Sequence, residues 1–292
     1  MRILIVGHSV VDNINNNIKP GGIFYSVLGL SNFSGKDAEI SLITSVSKDT
    51  YSLFESVYTK INQQYFQFVS SIPNVYLKLY DNCEREECYS NLTEKLKINH
   101  DINFNDFDGI LINMITGFDL ELEDLKLIRA NYGGPIFFDV HTFSRGLDKN
   151  NKRFFRKIPD VKEWLSKIDL LQVNEYEIFT LSNNKNINYI IKEVFDYGIK
   201  YLIITKGAKG ASIYYKENSI IKSKSVEAVE VNSKNSVGCG DIFGAVFFYS
   251  YIKSGNINSV LKTANAAAGV STKYNSFNEY KNLKEDADRF IN

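Results

Sequence analysis

Residues 235–245, Asn-Ser-Val-Gly-Cys-Gly-Asp-Ile-Phe-Gly-Ala, hold the residue types in this chain best suited to chemistry. Gly238-Cys239-Gly240 is a small-residue turn, Asp241 follows it, and Ile242 to Ile252 is almost wholly apolar. The pattern predicts a glycine turn opening a buried helix over 241–254. Backbone N–H groups at such a helix start have no intrahelical acceptor and, together with the macrodipole, favour an anion. Glycines let the backbone approach that anion with no Cβ in the way. A carboxylate at the same place would repel a phosphate, but it fits if it takes a proton from a hydroxyl that attacks the phosphate. A ligand-free glycine turn into a core helix accounts for the same residues. Cys239, a thiol between two glycines at a helix start, is either a reactive group of lowered pKa or a small residue in alanine's place.

Four further groups carry candidate chemistry. Lys19-Pro20-Gly21-Gly22 is a turn leading into an apolar helix, with Asp12 shortly before it. Asn174-Glu175-Tyr176-Glu177 puts an amide oxygen and a carboxylate at i and i+3, on one helix face. That pair suits a hydrated Mg²⁺ or, equally, a helix cap with Asn174 as N-cap and Glu177 completing a capping box. Thr205-Lys206-Gly207-Ala208-Lys209-Gly210 lies between two apolar runs, as a phosphate-facing turn or as a bare glycine hairpin with solvated lysines. Thr263-Ala264-Asn265-Ala266-Ala267-Ala268-Gly269 is a run of small residues that lets another element come close, with Asn265 its one amide side chain.

The elements that must position these residues follow from alternation of short apolar runs with longer amphipathic ones. Strands are expected at 2–7, 40–46, 75–80, 109–115, 135–140, 169–173, 201–205 and 211–215. Helices are expected at 22–33, 50–63, 119–131, 158–167, 175–182, 187–198, 241–254, 256–271 and 279–291. Strands alternating with helices imply an α/β chain with a mainly parallel sheet and helices on both faces. The central strands read as continuous apolar runs, such as Ile110-Leu111-Ile112, which suits strands covered on both sides. Residues 75–80 and 94–98 alternate apolar and polar around an acidic turn. This predicts a hairpin with one wet face, and one domain over 1–292 with a small β lid from about 12–20 and 75–100. Ligands of open parallel sheets bind beyond the carboxyl ends of the strands. Asp12, Asp139, His141, Asn174, Glu177 and Thr205 to Gly210 all fall at such ends.

With 34 basic and 34 acidic residues among 292, the formal net charge is zero, which argues against nucleic acid or an anionic membrane as partner. Residues 1–8 are too short an apolar run for a signal peptide, and the three cysteines are an odd number. The expectation is a reduced, cytoplasmic protein. The first strand ends Val6-Gly7-His8-Ser9, without Gly-x-Gly-x-x-Gly, and no Gly-x-x-x-x-Gly-Lys-Ser/Thr occurs. Nicotinamide and P-loop enzymes are therefore disfavoured.

In order and spacing these groups resemble the ribokinase (PfkB) family of carbohydrate kinases, over nearly the whole chain. Residues 235–245 are similar to its signature Asp-Thr-Thr-Gly-Ala-Gly-Asp-x-Phe-x-Gly, departing at Asn235, Ser236, Val237, Cys239 and Gly244. The resemblance implies a ribokinase-like fold and an ATP-dependent kinase for a sugar, cyclitol or nucleoside. It implies Asp241 as catalytic base and Gly238, Cys239 and Gly240 as anion hole. Asp12, Gly21 and Gly22 would bind substrate; Asn174 and Glu177 would organise Mg²⁺ and the phosphates. Thr205, Gly207, Gly210 and Asn265 would meet the nucleotide. Tyr25-Ser26 stands where the family has an Asn, Ser47 replaces a glycine, and Phe138-Asp139-Val140-His141 with Arg145 matches Asp-x-Asn-x-x-Arg imperfectly. Asn235 in place of Asp predicts no K⁺ requirement. A homodimer through the lid, as in ribokinase, and a monomer both stay open. The rival from another class is a non-catalytic ligand- or nucleotide-binding regulatory protein on the same fold; a nucleoside kinase is the alternative within it.

Overall fold

The structure is a computed structural model that describes residues 1–78, 80 and 86–291. Its strands are β1 (Arg2–Val6), β2 (Ser9–Ile14), β3 (Asn17–Gly22), β4 (Glu39–Val46), β5 (Phe66–Phe68), β6 (Asn74–Lys78), β7 (Glu86–Asn91), β8 (Gly109–Asn113) and β9 (Ile136–Asp139). They continue as β10 (Arg145–Leu147), β11 (Arg153–Phe155), β12 (Leu170–Asn174), β13 (Tyr201–Thr205), β14 (Ala211–Glu217) and β15 (Ile220–Val226). The α-helices are α1 (Phe24–Ser34), α2 (Glu55–Tyr58), α3 (Leu122–Asn131), α4 (Val161–Leu165), α5 (Ile187–Asp196), α6 (Cys239–Ser254), α7 (Ile257–Ser271) and α8 (Leu283–Asp288).

A nine-stranded sheet runs in the order β15-β14-β13-β12-β9-β8-β1-β4-β5. It is parallel from β13 to β5, with β14 and β15 added antiparallel at one edge. The central strands alternate their side chains between two cores. Ile3, Ile5, Leu111, Phe137 and Ile203 join the side chains of α1, α6 and α7 on one face. Leu4, Val6, Ile112, Phe138 and Ile204 join those of α3, α4 and α5 on the other. Burial on both faces is why these strands read as unbroken apolar runs. Helix α6 lies against the sheet, α1 and α7, which explains a sequence apolar all round it. The small residues of α7, Ala264, Ala266 and Ala267, are buried where it packs against α6.

A separate four-stranded sheet, in the order β3-β2-β6-β7, covers the carboxyl end of β1. Its β2–β3 hairpin turns at Asn15 and Asn16, both with positive φ, as a two-residue hairpin of matching twist requires. This sheet corrects the expected pairing. Residue 12 sits in a strand rather than a connection, and β6 pairs with β7, so 94–98 is not the second arm of the hairpin. That segment is irregular and tied elsewhere: the Leu96 amide donates to the Asp119 carbonyl, and Lys95 pairs with Glu121 and Asp124. Residues 79 and 81–85, also within the expected hairpin, lie outside the described residues. Several expected helices are shorter: 50–63 holds only a 3₁₀ turn and α2, 158–167 only α4, 175–182 only a 3₁₀ turn, and 279–291 a 3₁₀ turn and α8. Among the described residues no helix is long and apolar enough to cross a membrane.

Candidate active site

From β1 the chain moves to β4 on one side and returns to β8 on the other, so the strand order reverses between β1 and β8. Open α/β sheets bind ligands beyond such a point. Asn113, the last residue of β8, is buried there and donates from Nδ2 to Asp241 Oδ1 at 2.7 Å. Its Oδ1 is buried with no hydrogen-bond partner among the described residues. Asp241 sits in the first turn of α6, itself 8% exposed, and lines a cleft roofed by the four-stranded sheet.

The turn before Asp241 is shaped by close approach. Gly238 caps α6 at φ 80, and a Cβ there would lie 2.2 Å from Tyr25 Cγ. The buried Tyr25 thus supports the turn from beneath, and any larger residue at 238 collides with it as well as straining the backbone. Asn235 Oδ1 accepts from the Val237 amide at 3.0 Å, and the Asn235 amide donates to the Thr272 carbonyl at 3.0 Å. The Cys239 amide donates to the Ser236 carbonyl at 3.3 Å, whereas Gly240 lies in the first helical turn, where the helix supplies no acceptor.

Across the cleft, Asp12 on β2 is buried, and a Cβ on Gly21 would fall 2.2 Å from its carboxyl carbon. Gly21 is what allows that carboxylate to lie flat on β3. Asp12, Gly22, Gly238 and Asp241 line one cleft, joined by Glu87 of β7 and by His141. His141 has φ 38, and its Nδ1 is 2.6 Å from Thr142 Oγ1. His8 belongs to a different cluster. It is fully buried, with Nδ1 3.1 Å from Asp119 Oδ1 and Nε2 3.1 Å from the Glu94 carbonyl.

Behind Asp241, Gln172 Nε2 donates to Asp139 Oδ2 at 2.7 Å and to the Gly240 carbonyl at 3.0 Å. Burial, with the charges of Glu177 and Asp241 nearby, pushes the Asp139 carboxyl well above the usual carboxylate range. Asn174 and Glu177 form the reciprocal cap that sequence left as one alternative. Asn174 Oδ1 accepts from the amides of Tyr176 and Glu177 at 2.9 and 2.8 Å, and Glu177 Oε2 accepts from the Asn174 amide at 2.9 Å. Glu177 Oε1 also pairs with Arg145 Nη1 at 3.0 Å.

Thr205 ends β13 in register with Asn174, and Gly207 and Gly210 follow in a 3₁₀ turn with φ 53 and 84. Lys206 Nζ donates to Ser212 Oγ at 2.6 Å, and Lys209 pairs with Glu175 at 3.0 Å. Asn265 Nδ2 donates to the Glu227 carbonyl at 2.8 Å, tying α7 to the segment after β15. Asn113, Gln172 and Glu87 were not singled out by sequence. The one signal for Asn113 was a polar residue closing the apolar run Gly109-Ile110-Leu111-Ile112.

Residues 146–281 match the pfkB family carbohydrate kinase model. The fold matches that of a pyrophosphate-dependent kinase of the ribokinase family, solved with sulfate, at a TM-score of 0.77. That match has 18% identity and covers 94% of this chain and 96% of that one. The chain is thus similar to the ribokinase (PfkB) family over residues 146–281, and its fold is ribokinase-like. Another ribokinase-family structure, Arabidopsis thaliana ribokinase complexed with ribose and ATP, matches at a TM-score of 0.75 with 14% identity, over 99% of this chain and 98% of that one. The deoxyribokinase of Salmonella typhi is 29% identical over 134 residues, 41% of this chain. The matched stretch spans 42% of the length of that curated relative.

Proposed function

We propose that this chain is a kinase that transfers the γ-phosphoryl group of ATP to a hydroxyl of a sugar or sugar-like molecule. One observation carries the reading: a carboxylate in the first turn of α6, behind a left-handed glycine, held by Asn113 at the mouth of a cleft that Asp12 also lines. Asp241 takes the proton of the acceptor hydroxyl as its oxygen bonds to the γ-phosphorus; the bond from that phosphorus to the bridging oxygen breaks, and ADP leaves with the electron pair. The amides of Gly238 and Gly240 face the charge on the transferred group, whereas the Cys239 amide, expected to join them, is held by the Ser236 carbonyl. Asp12, Gly21 and Gly22 hold the acceptor. The four-stranded sheet, which contains the segments 12–20 and the described part of 75–100, acts as a lid that excludes water.

Among the described residues no group of three or more His, Cys, Asp and Glu side chains is arranged to hold a metal ion. Glu177 and Asn174 spend their oxygens on capping and on Arg145, so they fit a water-clad Mg²⁺ held at one remove rather than direct ligation. Burial chiefly raises the Asp139 carboxyl, and the Glu177 and Asp241 charges that add to it make the same place favourable for a cation. Bound there, the ion would neutralise donor phosphates. On the donor side Thr205, Gly207, Gly210 and Asn265 face the nucleotide. ATP is the donor by analogy with the Arabidopsis ribokinase, and the pyrophosphate-dependent relative makes pyrophosphate the competitor to test.

The experiment is product formation from ATP–Mg²⁺, and separately from pyrophosphate–Mg²⁺, with D-ribose, 2-deoxyribose, D-fructose, myo-inositol and adenosine. Acceptor-dependent ADP release supports the reading. ATP binding without transfer to any acceptor favours a non-catalytic binding protein.

A further inference from the structure

Three neighbouring strands set polar residues side by side under the start of α6. Asn113 of β8, Asp139 of β9 and Gln172 of β12 are partners in register. Each stands two residues beyond Leu111, Phe137 or Leu170, so all three share the sheet face that α6 covers. All three are buried. The first turn of α6 rests on this row. Asn113 Nδ2 holds the Asp241 carboxylate, while Gln172 Nε2 donates to the Gly240 carbonyl at 3.0 Å and to Asp139 Oδ2 at 2.7 Å. One turn further along α6, a Cβ on Gly244 would fall 2.9 Å from Gln172 Oε1. That close approach accounts for a glycine at 244, one residue ahead of its place in the family signature. Gln172 Oε1 is itself buried with no hydrogen-bond partner among the described residues, a cost that an apolar side chain of the same length would avoid. Apolar packing is non-directional, whereas hydrogen bonds fix the rotation of a helix as well as its depth.

We propose that Gln172 is a positioning residue of the phosphoryl-transfer step. It holds the Gly240 carbonyl and, because a peptide unit is planar, sets the plane that runs on to the Asp241 Cα. Gly240 has no Cβ to restrict its own rotation, so the sheet supplies the restriction. Gln172 thus aims the backbone of the base, Asn113 aims its carboxylate, and Asp139 steadies Gln172 from the side. Gln172 acts through Gly240 and Asp241 and needs no contact with acceptor or donor. The inference rests on the kinase reading given above.

The test is steady-state transfer from ATP–Mg²⁺ by wild type, Gln172→Met and Gln172→Asn. The acceptor is whichever of D-ribose, 2-deoxyribose, D-fructose, myo-inositol and adenosine the wild type uses. Gln172→Met fills the same space without a donor, and kcat should fall roughly 10–100-fold while both KM values stay within about 3-fold of wild type. Gln172→Asn is one methylene shorter and cannot span Asp139 and Gly240 together. It should show the same split between kcat and KM, and it carries the test if the methionine variant does not fold. Gln172 and Asn113 act on one catalytic group, so a chain with both Gln172→Met and Asn113→Ala should lose less than the product of the two single losses, by about 3-fold or more. Unchanged kcat in a folded variant, a loss carried by KM, or a full product in the double variant would overturn the role of Gln172 while leaving the kinase reading intact. A wild type that phosphorylates none of the five acceptors overturns the kinase reading, and this inference with it.

Discussion

Around the ends of β1 and β8 the polar groups are buried and held by partners distant in sequence; on the turn after β13 they are more exposed, and its lysines pair with side chains at its rim. Asp241 is oriented by Asn113, 128 residues away, and Asp139 and Gly240 are bridged by Gln172. On the other side Lys209 answers Glu175 and Lys206 answers Ser212, and the glycines offer backbone alone. The proposed acceptor side is therefore built in advance, with its electrostatic cost borne by the fold, and the proposed donor side is a loop edge where one side chain matters less.

The largest effect among the supporting residues is expected at Gly238. Gly238→Ala forces a left-handed alanine against Tyr25, at a backbone cost of about 1–3 kcal/mol. Acceptor-dependent turnover should drop roughly 10²–10³-fold, and near wild-type turnover would separate the turn from catalysis. Asn113→Ala removes the Nδ2–Oδ1 bond that helps orient the Asp241 carboxylate, and turnover should fall up to about 10²-fold with donor KM little changed. A larger change in donor KM than in turnover would place Asn113 on the wrong side of the comparison.

Asp139 gives a pH test. Its folded-state pKa lies above its unfolded value, so the stability it contributes is fully present below about pH 4 and is lost as pH rises through the folded value. Asp139→Asn should therefore melt higher than wild type at neutral pH, with the gap closing toward pH 4 in thermal denaturation scans. A gap that grows toward acid would reverse the sign and the argument. On the donor side, Asn265→Ala removes one hydrogen bond, worth about 1 kcal/mol, and should raise donor KM only about 5-fold. Replacing K⁺ by Na⁺ should leave the rate unchanged, as Asn235 in place of an acidic residue implies.

The central strands and α6 were legible because burial on both faces leaves a composition no surface element tolerates; α6 was expected at 241–254 and begins at Cys239. The β2–β3 hairpin was not, since Asp12, Pro20 and two glycines argue against strands one residue at a time. Its readable signal was the Asn15-Asn16 pair, which takes the positive φ values of a tight hairpin. Residues 94–98 alternate like a strand, yet their partners are α3 and the loops around it, which no local pattern reveals. Asp241, Asp12 and the glycine turns were legible as residue types in order. Asn113, Gln172 and Glu87 were not, because each is defined by what the fold sets opposite it.

The most direct test of the account is single-turnover phosphoryl transfer from ATP–Mg²⁺ to the best acceptor of the panel, wild type against Asp241→Asn, with ATP affinity measured in parallel. The account predicts transfer slowed about 10²–10⁴-fold with ATP affinity essentially unchanged, because only the proton-accepting group is lost. Equal rates in the two proteins would contradict it and remove Asp241 from the chemistry.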